Sequence, residues 1–394
     1  MPTAQDPHLE RALALLEKFP LIDGHNDLPM RIRLDTAAKG DPRRFDMARH
    51  HPEGDTDLPR LRAGRVSAQV FACSPPKRRG QFAVMTLEMI DIIHRMIEAW
   101  PQDFVLATTA ETILTAKAEG RIAAIIAVEG GLGLENSLAP LRAWHALGAR
   151  LMTLCHNDGL DWVDSATDAP RHGGLTAFGR AVVAELNRLG MIVDLAHAAP
   201  SVMHQVLDLS AAPVLFSHSN ALALCDHPRN VPDDVLDRLR AKDAVVMATF
   251  IPAFLNQPSR DWLKQLEDPW GKAPENQPVT AAYIAAHEAV AGPWPVGDMA
   301  DLVAHVEYIA QRVGVAHVGI GCDFYPGPMP DGLKDAACYP HILAALLRNG
   351  WSDDAIAAIA CGNFLRLFRQ VEAVGADLRR SQGPIIGRVE DLDA

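Results

Sequence analysis

The chain has 394 residues, 48% of them hydrophobic, and a formal net charge of −12. That length buries a large core, and the surplus of negative charge argues against nucleic acid and anionic membrane as natural partners. The apolar runs, such as 122–128 and 244–255, are too short to span a bilayer, and the six cysteines form no C-x-x-C pair.

In chain order, residues 1–20 read as an amphipathic helix, because no basic segment precedes an apolar one as in an export signal. With scattered cysteines that suggest reduced thiols, the expected location is the cytoplasm. Short apolar runs bounded by turn residues then predict eight strands, over 21–27, 66–73, 121–129, 149–157, 191–197, 213–219, 244–250 and 318–324. Helical periodicity separates most of them, at 85–100, 177–189, 201–209, 235–241 and 299–313. Strands apolar throughout and alternating with helices indicate a parallel sheet covered on both faces. Eight such units predict a closed (β/α)8 TIM barrel over 21–372, with a C-terminal tail over 373–394.

A dinucleotide-binding sheet is excluded by motif, since GLGLEN at 131–136 and GIGCDF at 319–324 lack the third glycine at the required spacing. Two long connections, 28–64 and 251–300, follow the C-terminal ends of predicted strands one and seven. Loops on that rim shape the active sites of barrel enzymes.

Polar residues punctuate the same rim. His25 and Asp27 end the first predicted strand, Glu129 the third, His156 the fourth, His197 the fifth, His218 the sixth and Asp323 the eighth. Barrel enzymes assemble their sites from the ends of several strands, so these seven ionisable groups would converge. Glu129 closes the apolar run 122–128 and must be paired, protonated or bound to a metal, because a bare buried charge is too costly. His197 and His218 repeat that design. Imidazole with carboxylate suits Zn2+, with Mn2+, Fe2+ or Co2+ as alternatives, and the economical arrangement is two ions bridged by Glu129. Asp323 is either a turn aspartate or an active carboxylate. Arg229, before the helix start at Asn230 and Pro232, is either a surface residue or a planar fork for a substrate carboxylate. His94, His145, His204, His287, His305 and His341 fall within helical patterns and read as structural or solvent-facing.

The segments DGHND, AVEGG, LCHND, DLAH, FSHSNALALCDHPRNVPDD and GIGCDF, with NGWSDDAIAAIACGNFLRLF near the end, together resemble the membrane dipeptidase family of zinc peptidases. That family lies within the amidohydrolase superfamily, and the likeness runs from about residue 20 to about residue 372. The resemblance implies that His25, Asp27 and Glu129 bind one Zn2+ and that Glu129, His197 and His218 bind a second. His156, Arg229 and Asn230 would contact substrate, and Asp323 would handle the proton. The implied activity is hydrolysis of dipeptides, including those with a C-terminal D-residue, by a water held between the ions as hydroxide. The implied partner is a small dipeptide, with no nucleic acid or membrane, and a homodimer is the candidate assembly. The alternatives are an amidohydrolase for another small amide or lactone, and an inactive metal-binding scaffold. Glu129 standing where a bridging lysine might sit favours the dipeptidase. Ile251 stands where secreted mammalian relatives place a tyrosine, and the signal, lipid anchor and disulfides of those relatives are not seen here.

Overall fold

The computed structural model describes residues 6–77, 80–266, 281–324 and 327–394. Nine strands form: β1 (Leu21–Asn26), β2 (Val66–Cys73), β3 (Phe104–Leu106), β4 (Ile122–Glu129), β5 (Ala149–Thr153), β6 (Ile192–Asp194), β7 (Leu215–Phe216), β8 (Val245–Ala248) and β9 (Val318–Ile320). Pairing is parallel throughout, in the order β1, β2, β4, β5, β6, β7, β8, β9, and the pair Asp23–Ile320 closes the ring. The result is the (β/α)8 TIM barrel that the alternating pattern predicts. β3 is an addition to the eight expected strands. It pairs with Ile122–Ala124 at the start of β4, whereas β5 pairs with β4 from Ile126 onward. Three residues are too few to carry a readable alternation.

Five strands, β5 to β9, end two to four residues earlier than the sequence suggests, and at β6 and β7 polar groups capture the backbone. The Asp194 carboxylate accepts the backbone N–H of both Ala196 and Ser217, so those groups leave the sheet ladder. His197 and Asp323 take φ values of 69° and 62°, which turn the chain sharply just beyond β6 and β9. A non-glycine residue there costs about 1–3 kcal/mol and persists only where its surroundings hold it.

One apolar cluster joins Ile22, Val70, Ile125, Leu151, Ile192, Leu215 and Met247 from seven strands and fills the barrel. A larger cluster packs the other face of the strands, including Ile122, Ile126 and Val128, against the helices. That is why β4 is apolar at both parities. Near the rim the barrel is tight: a Cβ on Gly24 would stand 2.5 Å from the Ser217 carbonyl oxygen, and one on Gly321 would overlap that same atom.

The long connections fold into short helices, Leu28–Leu34, Pro42–Phe45 and Leu58–Ala63 after β1, and Pro252–Leu255, Gln257–Lys264 and Ala281–Ala291 after β8. At the chain's start, helix Pro7–Lys18 is capped by Asp6, whose side chain accepts from the His8 N–H. Beyond residue 372, helix Asn363–Ser381 continues, and the following segment packs back: Ile385 donates its N–H to Glu185 and its carbonyl accepts from Arg142. Among the described residues no helix is long and apolar enough to cross a membrane.

His305, on helix Met299–Val313, ties this frame together. Its Nδ1 accepts from the Ala221 N–H at 3.1 Å, and its Nε2–H donates to the Leu255 carbonyl at 2.8 Å. Burial lowers its pKa from 6.5 to about 4. The unfolded chain therefore takes up a proton near pH 6.5 that the folded chain refuses until about pH 4. The neutral ring's contribution is complete above pH 6.5 and is lost as pH falls toward 4, a change of about 3 kcal/mol. Urea titrations across this range are expected to show a shallower loss of stability in His305→Gln than in the unaltered chain. Equal slopes would refute the assignment.

Candidate metal centre

Each functional side chain is delivered by the C-terminal end of a barrel strand or the first residues after it. His25 lies within β1, and Glu129 is the last residue of β4. Asp27 immediately follows β1 as the N-cap of helix Leu28–Leu34. His156, expected at a strand end, stands three residues beyond the end of β5. His197 and His218 follow β6 and β7, and Asp323 follows β9.

These groups meet around one carboxylate oxygen. Glu129 Oε1 is 3.1 Å from His197 Nε2, 3.5 Å from His25 Nε2, 3.5 Å from His218 Nε2 and 4.0 Å from His156 Nε2. His25 Nε2 is also 3.8 Å from Asp27 Oδ1 and 3.7 Å from Asp323 Oδ1. Three overlapping donor groups result: His25 with Glu129 and His218, Glu129 with His156 and His197, and His25 with Asp27 and Asp323. All the expected ligands are therefore together, and His156 and Asp323 lie among them. Both ring nitrogens of His25 and Oδ1 of Asp27 are buried with no hydrogen-bond partner. Buried polar atoms rarely stay unsatisfied, and this donor set of imidazoles and carboxylates suits a divalent cation.

Burial disfavours charge on every group here, and the neighbours decide the outcome. Burial lifts the Asp323 carboxyl to about 6, with Asp27 and Glu129 adding to it and His25 and Arg229 opposing. Burial holds His197 well below the usual imidazole range, reinforced by Arg229 and His156. His218 is lowered likewise by burial, then by His25 and Arg229. Both rings are thus neutral, the form that offers a lone pair. Burial also opposes charge on Glu129, yet His25, His156 and His197 hold it well below the usual carboxylate range. Burial opposes charge on His25 too, but Glu129, Asp27 and Asp323 raise it to about 10. A field that holds a proton on that ring also favours a cation beside it.

Arg229 is 2% exposed. Its Nη2 donates to the His218 carbonyl at 3.3 Å, while Nε and Nη1 have no partner. The guanidinium carbon lies 5.4 Å from the Phe254 ring, carried by the short helix that Ile251 caps. Asn230 spends its amide N–H groups on the carbonyls of Cys225 and Phe254, both at 2.9 Å, leaving only Oδ1 unpartnered.

An outer layer went unread in the sequence. Asn157 Oδ1 stands 3.1 Å from His197 Nδ1, and Ser217 Oγ stands 2.8 Å from His218 Nδ1. Asp194 lies beneath, accepting from both Ser217 and Thr153. The available signal was Asp194 three residues before His197, a buried acid in an otherwise apolar strand.

The family model described as Membrane dipeptidase (Peptidase family M19) matches residues 9–382. Dipeptidase 3 of Rattus norvegicus is 38% identical over 379 residues, which cover 94% of this chain and 69% of that protein. Among solved structures, the probable dipeptidase PvdM from Pseudomonas aeruginosa has a TM-score of 0.80 at 26% identity, over 93% of this chain and 99% of that one. A metallo peptidase from Rhodobacter sphaeroides, solved with a phosphinate mimic of the dipeptide L-Ala-D-Ala, shares the fold with a TM-score of 0.73 at 22% identity, over 90% of this chain and 99% of that one. The match extends across the barrel and every rim segment that carries a donor. The chain belongs to the membrane dipeptidase family, and its chemistry is the metal-dependent hydrolysis of dipeptides.

Proposed function

We propose that the centre takes two Zn2+ ions, with Glu129 shared between them. His25 and Asp27 complete one ligand set, and His197 and His218 complete the other. The supporting observation is the convergence of four imidazole nitrogens within 4.0 Å of one Glu129 oxygen. Bound, such ions polarise a carbonyl and make water a competent nucleophile at neutral pH.

The chain's own residues supply the remaining steps. Asp323, with its carboxyl raised to about 6, accepts the proton of the attacking water at Oδ1 and returns it to the departing amine. His156, half-exposed beside Glu129, donates from Nε2 to the carbonyl oxygen as negative charge develops there. Arg229 offers Nε and Nη1 to the C-terminal carboxylate of the dipeptide, and the Phe254 ring flanks that fork. Fixing the carboxylate at a set distance from the metals limits substrate length to two residues. Such a clamp grips one substituent of the terminal Cα, so dipeptides ending in a D-residue fit the same reading. Six unpaired, buried cysteines suit a reducing cytoplasm.

The test is a dipeptide panel of both C-terminal chiralities, with free and amidated carboxyl groups, measured alongside metal content. Arg229→Met is expected to raise KM at least tenfold for free dipeptides, about 1.4 kcal/mol or more, and to leave amidated ones nearly unchanged. Equal losses on both would refute the clamp. Hydrolysis of lactones in preference to every dipeptide would refute the substrate class.

A further inference from the structure

Below His218 runs a hydrogen-bonded chain that the reaction does not touch. Thr153, Asp194, Ser217 and His218 are all completely buried. Asp194 Oδ1 accepts the backbone N–H groups of Ser217 at 2.8 Å and Ala196 at 3.1 Å. Asp194 Oδ2 accepts the hydroxyls of Thr153 and Ser217, each at 2.6 Å. Ser217 Oγ is in turn 2.8 Å from His218 Nδ1.

Proton counting fixes the direction of every bond. A carboxylate only accepts, and a hydroxyl has one hydrogen. Ser217 gives its hydrogen to Asp194, so toward His218 it can only accept. His218 must then carry its proton on Nδ1, leaving a lone pair on Nε2. That nitrogen lies 3.0 Å from His197 Nε2 and 3.5 Å from Glu129 Oε1, inside the donor cluster.

We propose that Asp194, acting through Ser217, sets the tautomer of His218 and thereby decides whether its Nε2 can bind a metal ion. This inference rests on the proposed ligand role of His218. Asp194 and Ser217 are positioning residues, since neither reaches the donor cluster.

Asp194→Asn tests the idea because its effect is directional. Two backbone N–H groups hold the Oδ1 position for an oxygen, so the introduced NH2 group must take the Oδ2 position. There it donates to both hydroxyls. Ser217 then accepts from that amide and gives its own hydrogen to His218 Nδ1, which forces the ring proton onto Nε2. The swap is nearly isosteric, yet it reverses the chain.

Zinc affinity of the full-length protein is measured by competition with a chelator, and 15N-histidine NMR of the metal-free protein reads the tautomer. Asp194→Asn is expected to weaken one of the two ions by about 10- to 100-fold, with the His218 signal changing from Nδ1–H to Nε2–H. Ser217→Thr keeps the hydroxyl and is expected to retain the original affinity and tautomer. The decisive variant is Asp194→Asn combined with Ser217→Ala. With no hydroxyl to donate, the ring is no longer forced, and the double variant binds zinc more tightly than Asp194→Asn alone. A merely structural role predicts further loss. If Asp194→Asn fails to fold, Ser217→Ala serves, with an unlocked tautomer and a several-fold loss of zinc affinity expected. An unchanged tautomer in Asp194→Asn, or a double variant weaker than the single one, overturns the proposal; if Ser217→Ala serves instead, an unchanged tautomer or affinity overturns it. If the unaltered protein binds no divalent ion while the NMR shows Nδ1–H, the metal reading fails and the tautomer assignment stands.

Discussion

Glu129→Gln is expected to release bound metal and reduce dipeptide hydrolysis to near background. The substitution keeps the shape of the side chain and removes its charge. Glu129 is 3% exposed, closes a fully buried strand and faces four imidazole nitrogens within 4.0 Å. A neutral amide there accepts with one atom and presents N–H groups with the other. Some of those N–H groups would point at rings that should offer lone pairs. In the proposed two-ion centre Glu129 would serve both ions, so the loss should exceed the roughly 10- to 100-fold attached to an outer-layer partner. Metal analysis after dialysis, with turnover on the same sample, checks this. Retention of two ions would remove Glu129 from the centre. Thermal unfolding of the metal-free proteins separates lost binding from lost fold.

Asp323→Asn should behave differently. Metal remains, and kcat falls by about 10^2- to 10^4-fold, the range for losing a positioned acid–base group. The pH profile supplies a second signature. Burial, helped by Asp27 and Glu129, raises this carboxyl to about 6. The proton-accepting form is therefore lost as pH falls through that region. A bound cation nearby favours the carboxylate, so the limb should lie at or below that value. The asparagine variant has no carboxylate to protonate there, and its residual activity should lose that limb. A variant that keeps both full turnover and the limb would assign the proton transfer elsewhere.

The parts of this protein that were legible in its sequence share one property. They pair a buried apolar run with a polar residue that such a run cannot tolerate without a partner. β4 is the clearest case, since Ile122–Val128 is apolar on both faces and Glu129 ends it. His197 and His218 were legible for the same reason. The strand lengths were less so: β7 is only Leu215–Phe216, because Ser217 gives its backbone N–H to a carboxylate on the neighbouring strand. Partnership across strands leaves no periodicity. Asp194, Ser217 and Thr153 come from three different strand ends, and a linear pattern does not say that they touch. Asn230 illustrates the converse. It sits in a suggestive segment, yet its donors are spent holding the turn that carries Arg229.

The two glycines at the rim bear on how this protein tolerates change. Gly24 and Gly321 flank the strand ends that present His25 and Asp323, and both press on the Ser217 carbonyl. Adding a single methyl at either position must push β1 or β9 away from the end of β7. The donors travel with their strands, so the geometry of the centre would loosen without any donor being altered. In a map of mutational tolerance, both glycines would stand beside the ligands, although neither carries a reactive atom. The spacing of the chemistry is thus held partly by atoms the sequence leaves out.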